Sequence, residues 1–275
     1  MKLSIIIANW NTCALIKQCI ESVFAHAENE ISSGIYELIV VDNGSDDGSK
    51  EYLDSLRDKI SLIHNEDNAG YAPACNQGMR KAKGEFVLLL GSDTIIKENA
   101  LQECVKFLEE HSEAGAVGCK LLNLDGSFQN SCKKFPLLKN AFYTYLSLHS
   151  LNRDYDMTSF KYDRIAEVEQ IATTFLMIRK SVLESAGYFN ERYRILYNDV
   201  DLCQKIRNAG WKIYFTNTVS IVHYGSHSTS KAGFGLRRIM YGDIYRFYKD
   251  NFAFKAVFLY PILVLRLLIV SSMTT

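Results

Sequence analysis

The chain is poor in proline, with only Pro73, Pro136 and Pro261 among 275 residues. That scarcity excludes a proline-rich polymer, and 48% apolar content fits a folded globule. Net charge is absent as well, because 31 Lys and Arg cancel 31 Asp and Glu. A neutral chain has no general attraction for polyanions, so no nucleic acid partner is expected, although a local basic site can still hold a diphosphate. The seven cysteines (13, 19, 75, 104, 119, 132 and 203) are odd in number and show no CxxC spacing. They fit reduced thiols of a cytosolic protein, not a disulfide frame or a zinc site. The opening MKLSIIIANW is too short in apolar residues for a signal peptide and reads as a first strand. No internal repeat is present. A spanning helix needs about 20 apolar residues with few charges. The apolar tail at 252–270 is instead interrupted by Lys255, Pro261 and Arg266. It suits an interfacial or partner-binding helix better, with a reentrant or truncated membrane segment as the alternative.

What the chain does have is alternation. Apolar runs at 3–8, 36–41, 60–64, 85–90 and 115–122 read as strands. Between them, 15–25, 48–57, 72–82 and 97–111 have helical spacing. This order predicts an α/β fold with a mostly parallel sheet and helices on both faces. Residues 123–168 are looser, with one helix expected near 138–148. A strand is expected at 169–178, a helix at 199–209 closed by Gly210, and short strands at 211–215 and 220–223. An apolar helical tail ends the chain. The expected division is a main α/β domain at 1–230 and a C-terminal loop with an apolar, helical segment at 231–275.

Ligands of such sheets sit at the carboxyl ends of the strands. Three polar clusters fall there: Asn9-Trp10-Asn11, Asp42-Asn43-Gly44 and Gly91-Ser92-Asp93. Gly44 and Gly48 are adequately explained as turn formers. Asp93 stands at a strand end where a carboxylate is exposed, but it also suits an N-cap for a helix near Lys97. Asp199 and Asp201 open another helix and cannot share one of its faces, so one points into a cleft and the other away. Alternatively, both complement the helix dipole. His223 and His227 flank a serine-containing turn and are candidate ligands. The stretch 232–238, with Arg237 and Arg238, reads as a loop that closes over phosphate or as a solvated basic loop.

Six strings, SIIIANWN, IVVDNGSDDGS, NAGYAPACNQG, VLLLGSDT, GYFNERYRILYNDVDLCQKIRNAGWKIYF and IVHYGSHST, stand in order over residues 3–230. Together they resemble family 2 glycosyltransferases of the GT-A fold, in the bacterial rhamnosyltransferase-like branch. The resemblance implies an inverting enzyme that moves a sugar from a nucleotide-sugar donor, dTDP-rhamnose or a UDP-sugar. The acceptor would be a glycan or lipid-linked saccharide of cell-surface polysaccharide. The location implied is cytoplasmic, at the inner face of the membrane, with membrane surface contact through 252–270.

By position, the resemblance assigns Ala8, Trp10, Asp42, Asn68, Gly70, Asn76 and Ser92 to the donor nucleotide. Trp10 would stack on the pyrimidine, and Asp42 would accept its N3–H. Asp93 and His223 would hold Mn2+ or Mg2+, and Asp199 would be the general base. Three departures stand out. Gly91-Ser92 replaces a more acidic pattern, Asn198 replaces the glutamate usual before the base, and Thr173-Thr174 replaces Gly-Ala. They leave open a catalytically inactive sugar-nucleotide-binding subunit of a glycan assembly complex. A nucleotidyltransferase is disfavoured, because no glycine-rich loop and basic residue follow the first strand. A membrane-bound scaffold using the tail is a further alternative.

Overall fold

A computed structural model describes residues 1–225 and 234–272. Its centre is one twisted sheet. Strands β1 (Leu3–Asn9), β2 (Tyr36–Asn43), β3 (Ser61–Asn65) and β4 (Phe86–Gly91) lie in the order β3-β2-β1-β4, all parallel. Helices α1 (Cys13–Ser32), α2 (Ser49–Asp54) and α3 (Tyr71–Lys81) connect them. Strands β1, β2 and β4 are buried on both sides, so they read as apolar runs, whereas the edge strand β3 is only partly buried. Successive residues of those three nevertheless serve different cores. Ile5, Ile7, Leu38, Val40, Leu88 and Leu90 pack with Ile16, Ile20 and Val23 of α1. Ile6, Ile39, Val87 and Leu89 pack with Ala72, Cys75 and Met79 of α3. The period of two along each strand therefore builds both faces.

Beyond β4 the sheet becomes mixed. A two-residue strand, β5 (Thr94–Ile95), precedes helix α4 (Ala100–Glu110) and strand β6 (Ala114–Leu122). The strand expected at 169–178 is two strands, β10 (Gln170–Ile171) and β11 (Phe175–Arg179), separated by Ala172, Thr173 and Thr174. Only β11 enters the main sheet, antiparallel between β4 and β6. Conversely, the two short strands expected at 211–223 are one, β12 (Lys212–His223). It runs parallel to β6, with a register shift between Thr216 and Ser220, and its end pairs antiparallel with β5. The short strands β7 (Phe128–Gln129), β8 (Cys132–Lys133) and β9 (Ala166–Val168) edge this half.

Helix α5 (Leu138–Tyr145) lies close to its expected place, and α6 (Lys180–Ala186) was not anticipated. Helix α7 (Asn198–Asn208) has Asp199 and Asp201 in its first turn and Lys205 and Arg207 in its last, both favourable to the helix dipole. Residues 226–231, His227 among them, lie outside the described residues, as do Ala232 and Gly233.

Phe234 to Arg238 form no loop but the start of α8 (Phe234–Phe252). A 3-10 segment (Ala253–Leu259) and α9 (Tyr260–Ser272) follow. Ile244, Phe247, Tyr248, Ala256, Leu259 and Leu263 share a core with Ala141, Tyr193 and Val200, so the C-terminal helices are built into the fold. All seven cysteines are free. Burial pushes the thiols of Cys19, Cys75, Cys104, Cys132 and Cys203 up to about 12.

Candidate active site

Strand order reverses direction of growth at β1, and there a cavity of about 240 Å³ opens at the carboxyl ends of β1, β2 and β4. Ala8, Trp10, Asn68, Gly70 and Ser92 line it, which unites five of the expected donor residues. Asn9, Asn43, Tyr71, Ile195 and Leu236 complete the wall. Gly70 is needed for its backbone: its φ is +105°, and a Cβ there would stand 2.9 Å from the Arg194 carbonyl oxygen. Gly44 is similar, with φ at +74° and an added Cβ 2.9 Å from the Asp67 backbone. The Arg194 guanidinium donates to the carbonyls of Asn68 and Ala69, both at 3.1 Å, locking the 68–70 loop against the chain leading into α7.

Two expected donor residues stand behind the cavity instead of in it. Asp42 is 1% exposed, and its oxygens accept from Asn9 Nδ2 (2.9 Å), Ser45 Oγ (2.6 Å) and Ser45 N–H (3.2 Å). The neighbouring Asn43 takes its place on the wall. Asn43 donates to Asn68 Oδ1 at 2.8 Å and to the Gly70 carbonyl at 3.1 Å, and accepts from Asn65 and from Ala69 N–H. Asn76 is fully buried. Its amide donates to the Phe189 carbonyl and Glu191 Oε1 and accepts from Phe189 N–H, tying α3 to the 189–191 segment. With every polar atom of Asn76 engaged, it supports the site from outside.

Asp93 does not cap α4, which begins at Ala100 after Asn99. It is held at the β4–β5 turn, where its carbonyl accepts from Tyr224 N–H at 2.9 Å. Because His223 pairs opposite Thr94, the end of β12 delivers His223 Nε2 to 3.4 Å from Asp93 Oδ2. Gln129 Nε2 donates to Asn123 Oδ1 at 3.1 Å, which turns Gln129 Oε1 toward the ring, where it bonds His223 Nδ1. An amide oxygen can only accept, so Nδ1 is the donor in that bond and Nε2 faces the Asp93 carboxylate. Among the described residues no three His, Cys, Asp or Glu gather as a metal cluster, so the pair offers two donors.

Asp199 and Asp201 diverge, as their spacing requires. Asp201 pairs with Lys205 Nζ at 2.8 Å. Asp199 keeps part of its surface exposed, and desolvation pushes its carboxyl above the usual range, partly offset by the Val200 N–H at 2.8 Å and by the charge of Lys133. It lies near the cavity wall: besides burial, its charge contributes to pushing the Tyr71 phenol up. Asn198 does not face outward. Its amide donates to the Ile195 carbonyl at 3.0 Å and its oxygen accepts from Asp199 N–H at 2.8 Å, so it shapes the turn before α7. Thr173 accepts from the Tyr71 hydroxyl at 3.3 Å, and the Thr174 carbonyl accepts from Gly91 N–H at 2.9 Å. The pair thus forms a floor between β4 and Tyr71.

Several participants escaped the sequence reading. Asn43 stood in a named polar cluster but was given no role, Tyr71 and Ile195 lay inside quoted strings, and Leu236 lay in the stretch 232–238. Gln129 and Asp243 carried no local signal. Asp243, in the middle of α8 and fully buried, accepts from the N–H groups of Ile195 (2.7 Å) and Leu196 (3.1 Å), bracing the chain between the cavity and Asp199.

The profile described as Glycosyl transferase family 2 matches residues 4–185. Over 210 residues the chain is 23% identical to the N-acetylglucosaminyl-diphospho-decaprenol L-rhamnosyltransferase of Mycobacterium tuberculosis, covering 70% of this chain and 68% of that one. It is 24% identical over 225 residues to the low-salt glycan biosynthesis hexosyltransferase Agl10 of Haloferax volcanii, covering 80% and 66%. Among solved structures, a 1–349 fragment of TarS from S. aureus superposes with a TM-score of 0.57 at 19% identity, covering 89% of this chain and 65% of that one. GalNAc-T7, solved with UDP, GalNAc and Mn2+, gives 0.61 at 15% identity over 81% and 44%. At these identities the solved structures establish the shared fold.

Proposed function

The chain belongs to glycosyl transferase family 2, and we propose that within that family it is an inverting glycosyltransferase using a dTDP- or UDP-activated sugar. The observation that carries this reading is the Asp93–His223 pair beside a cavity that unites Trp10, Asn68, Gly70 and Ser92. Trp10 offers a flat apolar face to a pyrimidine. Asn68 and Gly70, held by Asn43 and Arg194, close over the nucleoside. Asp42 acts through Asn9 and Ser45, fixing the carboxyl end of β1 rather than meeting the base.

Asp93 and His223 Nε2 are an oxygen and a nitrogen donor that would hold Mn2+ or Mg2+ together with a diphosphate. Such an ion, when bound, supplies Lewis-acid stabilisation of the leaving diphosphate. Asp199 takes the proton of the acceptor hydroxyl as that oxygen attacks the anomeric carbon opposite the leaving group. Burial makes Asp199 a stronger base than an exposed carboxylate, which suits that task. Tyr71 and Thr173 hold the floor between donor and acceptor. The name of the mycobacterial relative supports a rhamnosyl donor and a lipid-diphosphate-linked acceptor.

Donor titration by thermal shift tests the reading, comparing UDP-sugars, dTDP-rhamnose and GDP-mannose with and without Mn2+. Metal-dependent stabilisation by one pyrimidine donor is expected. Stabilisation by no donor under either condition refutes it. The inactive-subunit reading draws on Ser92 and Asn198, neither of which adds charge. Slow donor hydrolysis without acceptor, lost in Asp93→Asn, decides for the enzyme.

A further inference from the structure

Eight large apolar side chains stand exposed between residues 254 and 269, led by Phe254 at 77% and Phe258 at 66%. They recur at helical spacing: Phe254, Val257 and Phe258 on the 3-10 segment, then Leu265, Leu268 and Ile269 on α9. The opposite side of the same segment, Ala256, Leu259 and Leu263, is buried in the core. Helical packing therefore accounts for one apolar face and leaves the other in solvent. A second stretch of chain joins it. Arg266 Nε donates to the Tyr145 carbonyl at 2.9 Å, and its guanidinium also bonds Ser147 Oγ. This brings the exposed Leu146 and Leu148 beside α9.

Charge selects the occupant. Residues 243–266 carry Arg246, Lys249, Lys255 and Arg266 against Asp243 and Asp250, in a chain whose net charge is zero. Both acids are engaged within the fold. Asp243 holds Ile195, Leu196 and Arg246, and Asp250 holds Arg192 and Tyr193. An apolar, aromatic-containing face with a basic surplus and no unengaged acid matches an anionic lipid surface.

Depth follows from packing. The stretch Phe234–Ile269 is long and apolar enough to cross a membrane by composition. Its first half is fastened into the globule through Ile244, Phe247 and Tyr248. In its second half Ala256, Leu259 and Leu263 stay in the same core, and Arg266 is bonded to the Tyr145 carbonyl. Only the outer face is therefore open to lipid, which suits a segment lying in the interface.

We infer that residues 253–269, with Leu146 and Leu148, dock the protein in the plane of an anionic bilayer as a non-spanning anchor. This deepens the acceptor side of the proposed function, but its test does not depend on the donor site. The full chain is floated with phosphatidylglycerol–phosphatidylethanolamine vesicles and with phosphatidylcholine vesicles. Selective flotation with the anionic vesicles, weakened by high salt and abolished by alkaline carbonate, is expected. The variant Phe254→Ser/Phe258→Ser/Leu265→Ser should lose binding about tenfold or more with an unchanged melting point. Lys249→Glu/Lys255→Glu should weaken only the anionic preference. Absence of flotation overturns the inference, as does equal binding to both vesicle types. Retention through carbonate overturns it in favour of a spanning segment. A concentration-dependent dimer that the triple variant abolishes overturns it in favour of a protein contact.

Discussion

Two side chains carry the sharpest tests, because each has a measurable property besides turnover. Asp199 is a carboxylate that the fold makes unfavourable to ionise. Its folded pKa lies above the ordinary 3.8. The folded state therefore binds the extra proton between those two values, and stability falls as pH rises through that window. Above the folded value the full penalty is present. Asp199→Asn should thus raise the melting point at neutral pH, with the gain shrinking as the pH falls toward the ordinary carboxylate range. Transfer should fall about 10²–10⁴-fold while donor affinity holds. Thermal melts across pH, beside donor calorimetry, would show it; full turnover in the variant removes Asp199 from the mechanism. Gln129 touches no reactant in this reading, yet its amide oxygen is the acceptor that holds His223 Nδ1. Gln129→Met should let the ring change tautomer, visible in its nitrogen NMR shifts without any ligand. It should weaken Mn2+ binding in the presence of nucleotide about 10–100-fold. An unchanged tautomer would assign Gln129 to packing alone.

Among the elements, α8 has the largest effect for the least local signal. Its polar and apolar residues are mixed around the helix, and only Asp243, Ile244, Phe247 and Tyr248 are buried. Nothing in the sequence announced that one carboxylate would take two backbone N–H groups from the chain before α7. Asp243→Ala should cost about 3 kcal/mol by denaturant unfolding, since two buried donors and Arg246 lose a charged partner. It should also weaken donor binding, because Ile195 lines the cavity. Loss of stability without loss of affinity would separate the brace from the site.

The same contrast explains what the sequence discloses. Strands β1 to β4 and β6 were found to within two residues at either end, because buried parallel strands are unbroken apolar runs. Five cavity residues were legible because the strings around them recur in a family. β5, β7, β8 and β9, of two or three residues, are too short to show any period. The pairing of β5 with β12 is what joins Asp93 to His223, and the register shift at Thr216–Ser220 made one strand look like two. Asp42 and Asn76 sit in the right strings but behind the wall. A motif fixes the neighbourhood, whereas burial decides which of two adjacent polar residues lines the cavity.

For the whole molecule, the tail is at once core and surface, so removing it and altering it should have opposite signatures. Deleting residues 253–275 strips Ala256, Leu259 and Leu263 from the third core and uncovers Phe247 and Tyr248. The expected loss is about 4 kcal/mol or more, read as a lower melting point and greater aggregation. Serine substitutions on the exposed side should instead leave melting untouched and improve solubility. A truncated chain that melts like the intact one would show that the helices are appended rather than integral.

The continuous helix α8 begins beside the donor cavity, where Leu236 forms part of the wall, and ends at Phe252, where the apolar face starts. Sixteen residue steps separate them, about 24 Å of rigid rod. Were that face seated on lipid, the rod would act as a gauge, setting an upper limit of about 24 Å on the distance between the cavity wall and the start of the lipid-facing segment.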